Sequence, residues 1–192
     1  PKHGEAFITA GMVQYNACTG SFAESGITYN GSMNVLKNVL GNEYLWNNVR
    51  VKGGAYGCMC GFAPSGNGYF TSYRDPNLAK TYDIYTDAAA YVQSLELDER
   101  ELTKYIIGAI GAIDTPMTAS MKGSRSLAAY LGERSFEQIQ KNRDELLSTT
   151  VEDLRKLSGA VAAITEAGHI CVIGSESKIT EEKERFEHVE QL

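Results

Sequence analysis

Apolar residues recur along this chain with two different periods, and the change of period divides it into predicted strands and helices. Residues 5–17 are rich in β-forming side chains and predict a long first strand. A small, polar loop follows at residues 21–31. Apolar residues at helical spacing then predict a helix that Ser32 caps and that runs toward Val49, with Gly41 kinking or dividing it.

The middle of the chain predicts a hairpin. Residues 55–63 and 69–74 have strand patterns, and the segment PSGNG at 64–68 between them is typical of a tight turn, so antiparallel pairing is expected. The segment DPN at 75–77 ends the second strand and opens a helix with one apolar stripe. Asp98 and Glu101 have the spacing of a capping box at the start of the next helix.

The last third predicts more helices than strands. Residues 118–131 predict a helix, Ser135 and Thr150 each cap another, and residues 169–173 form an apolar strand. The charged tail at 180–192 predicts a weakly amphipathic helix. Because strands and helices are segregated, we expect an α+β fold in one domain spanning 1–192: a two-layer α/β sandwich with an antiparallel-rich sheet covered by helices.

Composition narrows the classes of function. The 192 residues are 43% hydrophobic and 22% charged, with a net charge of −6, as expected for a folded domain without the basic surface of a nucleic-acid binder. No apolar run approaches the roughly 20 residues that a membrane helix needs. Neither nucleic acid nor a membrane is therefore an expected partner. The start at Pro1, without an initiator Met or a signal-peptide pattern, suggests a fragment or a processed chain.

The cysteines and histidines do not have the spacing of a metal site. Cys58 and Cys60 share one strand face, so we expect them, with Cys18 and Cys171, to be free thiols in a reducing compartment. Zinc-peptidase helices need two histidines four residues apart. The histidines are His3, His169 and His188, and the residue four before His188 is Glu184. No metal site is predicted within the chain, His169 is expected in the core, and His188 is expected on a solvated helix.

Arg50 and Tyr56 are the candidate functional residues, on either side of Gly53 and Gly54. A guanidinium can bind peptide carbonyl groups, and a phenol can stabilise an oxyanion. The structural alternative is that Arg50 caps a helix C-terminus and Tyr56 packs on a strand. A phosphate-binding loop is disfavoured, because here the glycines follow a helix and precede a strand.

The segment LWNNVRVKGGAYG at 45–57 resembles the C-terminal domain of pitrilysin/insulinase-type zinc metallopeptidases, in particular the presequence-protease branch. The similarity continues through VQYN at 13–16, SYRDPN at 72–77, IIGAIG at 106–111 and the Asp114-x-Pro116 pair. The resemblance implies a pitrilysin-type or LuxS-like domain. It also implies a larger enzyme of four α/β domains, whose two halves close around an unfolded peptide.

The resemblance places the zinc elsewhere in that enzyme. The N-terminal half of such enzymes carries the H-x-x-E-H motif, which this chain lacks. The implied partners are that catalytic half of the same polypeptide and unfolded peptide substrates. The fragment alone is expected to bind no zinc and to be inactive. The implied compartment is the cytoplasm in a bacterium and an organellar matrix in a eukaryote.

The resemblance also assigns roles to the candidate residues. Arg50 binds substrate, Tyr56 binds substrate and stabilises the oxyanion, and Gly53 and Gly54 let the backbone turn tightly. Lys52 and Asn16 are weaker candidates, expected to be structural or solvated. Two alternatives stay open. One is a non-catalytic scaffold or core subunit of the same fold, against which the retained pair argues. The other is a stand-alone peptide-binding module.

Overall fold

One mixed sheet organises the part of the chain that the structure, a computed structural model, describes. That part is residues 4–192, so His3 lies outside it. Its strands are β1 (Gly4–Thr9), β2 (Gln14–Ser21), β3 (Gly57–Phe62), β4 (Asn67–Asp75), β5 (His169–Ser175) and β6 (His188–Gln191). Within residues 4–192 these six strands lie in the order β3-β4-β2-β5-β1-β6.

Helices connect these strands and cover one side of the sheet. They are α1 (Ser32–Val39), a π-helix (Leu40–Val51), α2 (Ala79–Gln93), α3 (Glu99–Ile113), α4 (Ala119–Leu131), α5 (Phe136–Leu147), α6 (Val151–Lys156), α7 (Ser158–Thr165), α8 (Glu176–Glu181) and a short 3-10 turn (Lys183–Arg185). The predicted capping box at Asp98 and Glu101 is confirmed at the start of α3. No helix in the described range is long and apolar enough to cross a membrane.

The pairing of the strands confirms the predicted α+β sandwich. β3 and β4 form the expected antiparallel hairpin, and β2 runs antiparallel to both β4 and β5. β1 is parallel to β5 and β6, so the sheet is mixed but antiparallel-rich. Residues facing the helices form the core: Phe70 and Val172 are fully buried, and Phe70 packs against Tyr85 of α2 with ring centroids 5.5 Å apart.

The first strand prediction was wrong in its extent. Residues 5–17 form two strands, because the chain reverses at residues 10–13. β1 pairs parallel with β5, whereas β2 pairs antiparallel with the other edge of β5. The reversal lets one long β-rich segment supply two strands that point in opposite directions.

The prediction of a helix at the tail was also wrong. Residues 188–191 form β6, which pairs with β1 through Glu5–His188 and Ala6–Val189. Val189 is half-buried while His188 and Glu190 are exposed, which is the alternation of a strand. His188 is therefore a solvated strand residue instead of a helical one, and its Nε2 lies 3.3 Å from a carboxylate oxygen of Glu190.

The helix after the first loop begins and continues differently from its prediction. Its N-cap is Gly31, and the backbone amide of Ser32 donates to the side chain of Asn30, so Ser32 is not the cap. At Leu40 the helix changes to π geometry, which persists to Val51. π geometry more often occurs as a single turn, frequently at functional sites.

The buried residues of the π-helix have the spacing that this geometry needs. Leu40 and Leu45 lie five residues apart, as do Tyr44 and Val49, and all four are buried. A π-helix bonds each residue to the one five positions away, so five-residue steps return to the same face. The hydroxyl of Tyr44 donates to the carbonyl of Ile84 in α2 (2.7 Å), which ties the segment to its neighbour.

Candidate functional site

The π-helix ends in a turn that carries both predicted site residues. The amide of Gly54 donates to the carbonyl of Arg50 (2.8 Å), and the amide of Ala55 donates to that of Val49 (3.1 Å). The amide of Tyr56 then donates to Arg74 of β4 (3.2 Å), which joins the turn to the sheet. The backbones of Arg50 and Tyr56 are thus fixed at the two ends of one hydrogen-bonded turn.

The two glycines of this turn are required for different reasons. A Cβ on Gly53 would lie 2.3 Å from the carbonyl oxygen of Val49, much closer than real Cβ contacts. Gly54 has a φ of +84°, in the left-handed region that side chains disfavour. The glycine pair is therefore a steric condition for turning from the helix into β3.

Arg50 is half-buried and rests on an aromatic neighbour. Its guanidinium carbon lies 4.0 Å from the ring centroid of Trp46, which is four residues earlier, about one turn of the helix. The charge of Arg50 also acts on Cys58, the second residue of β3. Burial raises the pKa of the Cys58 thiol to about 11, and the nearby positive charge of Arg50 opposes that increase. The stacked guanidinium keeps planar N–H donors for a carbonyl or carboxylate ligand.

Tyr56 is the more exposed of the pair. Its side chain is 60% exposed, and its ring packs edge-on against Tyr73 with centroids 5.6 Å apart. The guanidinium carbon of Arg74 lies 5.7 Å from the same ring. The two candidate side chains therefore rest on different neighbours, and Tyr56 is held by β4 with most of its surface open to a ligand.

The turn lies at the rim of the sheet face that, within residues 4–192, no helix covers. Strand alternation places Tyr73 on this open face, and the large side chains exposed there also include Tyr15, Met59, Tyr69 and Ile173. A broad aromatic and apolar surface with few charges suits an extended peptide better than a small charged ligand.

Arg74 is a site residue that the sequence analysis missed. It touches Tyr56 through both its backbone carbonyl and its guanidinium, and its own φ is +48°. A left-handed arginine is uncommon and costs free energy, so its surroundings must hold it in place. The available signal is the segment SYRDPN at 72–77, which by itself indicates a strand end, a helix start and the family resemblance, but no contact with Tyr56.

The weaker candidates occupy two different environments. Lys52 is exposed, and its ammonium group donates to the side chain of Asn48 (3.3 Å). Asn16 is 1% exposed and donates to Ser72, to Asp75 and to the backbone of Asn77. Its amide is therefore unavailable to a substrate and belongs to the interior next to the turn.

The residues that the structure describes do not fit a zinc ion. Between residues 4 and 192 there is no group of three or more His, Cys, Asp or Glu side chains that could hold a metal. The four cysteines are free thiols. Burial raises the pKa of Cys18 to about 11 and that of Cys60 to about 12, which disfavours the thiolate that zinc binds.

The sequence matches one family model over most of its length. The family model described as the PreP C-terminal domain matches residues 4–176. Protein HypA of Clostridium perfringens is 39% identical over 191 residues, which are 100% of this chain and 20% of that protein. Presequence protease 1, chloroplastic/mitochondrial, of Arabidopsis thaliana is 36% identical over 180 residues, 93% of this chain and 17% of that protein. The chain thus spans about a fifth of the length of these relatives.

Solved structures share the fold at low sequence identity. Pitrilysin aligns with 90% of this chain and 19% of its own, with a TM-score of 0.62 and 13% identity. The peptidase M16 inactive domain from Pseudomonas fluorescens aligns with 91% of this chain and 44% of its own, with a TM-score of 0.62 and 15% identity. The solved structures show a shared fold, and the family model and the sequence relatives show that the chain belongs to the PreP C-terminal domain family.

Proposed function

We propose that this chain is the substrate-binding C-terminal domain of a zinc metalloendopeptidase that degrades unfolded peptides. In this proposal it supplies Arg50 and Tyr56 to an active site whose zinc and general base lie elsewhere in the polypeptide. One observation carries the proposal: both side chains leave a single glycine turn at the rim of an open aromatic sheet face. Membership of the peptidase family supports it.

Arg50 would hold the peptide backbone beside the scissile bond. Its guanidinium is stacked on Trp46 at 4.0 Å, so little side-chain freedom remains to be lost when a ligand binds. Two parallel N–H donors match carbonyl oxygens better than a single ammonium group does. The expected consequence of losing Arg50 is weaker binding and poorer alignment of the peptide.

Tyr56 would act on the carbonyl oxygen of the scissile bond. Its exposed phenol can donate a hydrogen bond to that oxygen, and the bond strengthens as negative charge develops in the tetrahedral intermediate. Losing one oxyanion donor costs about 2.7–4 kcal/mol in comparable enzymes. The contacts of its ring with Tyr73 and Arg74 would keep the hydroxyl in place between turnovers.

The remaining parts of the proposal concern what lies outside this chain. Because the described residues offer no metal site, the zinc would be held by the N-terminal half of the same polypeptide. The name of the Arabidopsis relative places that protein in chloroplasts and mitochondria. That name supports an organelle for a eukaryotic protein that carries this chain, and we place it in the matrix; for a bacterial protein we propose the cytoplasm.

The test uses the full-length polypeptide that carries this chain and an internally quenched, unfolded peptide. Tyr56→Phe should lower kcat about 100-fold or more, because one oxyanion donor is lost. Arg50→Ala should raise KM as well as lower kcat/KM. Zinc content, measured by atomic absorption, should stay at the wild-type level in both variants.

Matched controls separate a site effect from a general one. Tyr130→Phe removes a phenol that is 80% exposed on α4, and Arg100→Ala removes an exposed cation on α3. Both should retain wild-type kinetics. Wild-type rates in Tyr56→Phe and Arg50→Ala would refute the assigned roles. A full-length protein that binds peptide but cleaves none would instead favour a scaffold or a binding module.

A further inference from the structure

A buried carboxylate lies directly behind the glycine turn. Asp75, the last residue of β4, is 0% exposed. Its Oδ2 accepts from the hydroxyls of Ser72 (2.7 Å) and Thr81 (2.8 Å) and from the amide of Asn16 (3.3 Å), and its Oδ1 accepts from the backbone amide of Asn77 (2.9 Å). A buried carboxylate with this many donors holds its surroundings in one arrangement.

Asn77 connects the buried carboxylate to the glycine turn through hydrogen bonds. Its side-chain amide donates to the carbonyl oxygen of Gly53 at 2.6 Å, across 24 residues of sequence. Its own carbonyl accepts from Asn16 at 3.0 Å, and its backbone amide is held by Asp75. Asn77 is therefore fixed on one side by the sheet and binds the turn on the other.

The same loop touches the turn at two more points. The carbonyl of Arg74 accepts from the amide of Tyr56 at 3.2 Å, and its guanidinium lies near the Tyr56 ring. The ring of Pro76 lies 3.4 Å from the place where a Cβ on Gly54 would be. Residues 74–77, which we call the anchor loop, thus meet the turn in reverse sequence order: Arg74 contacts Tyr56, Pro76 lies beside Gly54 and Asn77 binds Gly53.

We propose that Asn77, anchored by buried Asp75, is a positioning residue for the Arg50 and Tyr56 pair. The inference rests on the proposed function of that pair and adds to it the element that fixes its geometry. Arg50 and Tyr56 leave the turn on either side of Gly53, so a shift of the Gly53 carbonyl moves both side chains. A misplacement of about 1 Å can lower the rate of an enzyme roughly 100-fold.

The test is a double-mutant cycle in the full-length peptidase, with an internally quenched, unfolded peptide as substrate. Asn77→Ala should lower kcat by roughly 10- to 100-fold while zinc content stays unchanged. In a Tyr56→Phe background the same substitution should lower kcat much less, because the group that it misplaces is already absent. Asn67→Ala, at the exposed opposite end of β4, is the matched control and should retain wild-type kinetics.

The outcomes separate this inference from the function on which it rests. If Tyr56→Phe retains the wild-type rate, the proposed function fails. If Tyr56→Phe is impaired and Asn77→Ala is not, only the positioning role fails. Equal fold-losses from Asn77→Ala in both backgrounds would also overturn it, since they indicate a role independent of Tyr56. If Asn77→Ala does not fold, Asn77→Ser, which is too short to reach the Gly53 carbonyl, must give the same non-additive pattern.

Discussion

Replacing Gly53 with alanine tests whether the glycine turn sets the activity of the peptidase. An added Cβ would lie 2.3 Å from the carbonyl oxygen of Val49, and real Cβ contacts are essentially never shorter than 3.0 Å. The turn or the carbonyl must therefore move by about 0.7 Å. The carbonyl of Val49 also accepts a hydrogen bond from the amide of Ala55 at 3.1 Å. Because Ala55 directly precedes Tyr56, either movement disturbs the backbone that positions Tyr56.

The expected loss follows from that displacement. Overpacking of this kind costs about 1–3 kcal/mol of stability. Because a shift of about 1 Å can reduce a rate roughly 100-fold, we expect kcat/KM to fall by about 10- to 100-fold. The loss of activity should therefore be far larger than the loss of folded protein.

The assay compares two Gly→Ala variants of one segment in the full-length enzyme. Gly41→Ala, in the π-helix, adds a Cβ with no heavy atom within 4 Å and should have wild-type kcat/KM. Thermal unfolding and zinc content check that both variants are folded and loaded. Equal kcat/KM for Gly53→Ala and wild type would refute the argument that the turn geometry controls the pair.

Three further predictions concern the same region and the core. Gly54→Ala should destabilise the fold by about 1–2 kcal/mol because its φ is +84°, whereas Gly54→Asn should cost less; urea unfolding of the two variants measures the difference. Trp46→Ala should raise KM several-fold in the peptide-cleavage assay, because Arg50 loses the ring on which it stacks. Burial raises the pKa of Cys18 from 9.0 to about 11, so the unfolded chain loses this proton first and stability should fall between pH 9 and 11. In Cys18→Ala the fall in the urea midpoint over that range should be shallower, and an identical slope would contradict the assignment.

Elements specified by neighbouring residues could be predicted from the sequence. The β3–β4 hairpin follows from one short turn segment, and the α3 capping box needs only Asp98 and Glu101. The glycine turn is equally local, so the positions of Arg50 and Tyr56 at its ends could be expected before the fold was known. The family resemblance added roles that local patterns alone leave open.

Features that depend on distant pairing could not be predicted in this way. β6 is a strand because β1, more than 180 residues earlier, offers it an edge, and its four residues are too few to show a clear period. The hydrogen bond between Asn77 and Gly53 exists only after β3 and β4 have paired. From the sequence alone, the DPN segment therefore indicates only where a strand ends and a helix begins. The five-residue steps of the π-helix are present in the sequence, but π-helices are rare, so the α period is the one expected there.

The π-helix before the glycine turn contains more residues per turn than an α-helix would. Each of its hydrogen-bonded rings contains one residue more than a ring of an α-helix, so removing one residue between Leu40 and Val51 lets one turn tighten instead of breaking the fold. Such a change would rotate Arg50 about the helix axis by on the order of 100° and leave the strand pairing of β3 intact. A single-residue insertion or deletion in this segment would therefore redirect the arginine while keeping the sheet.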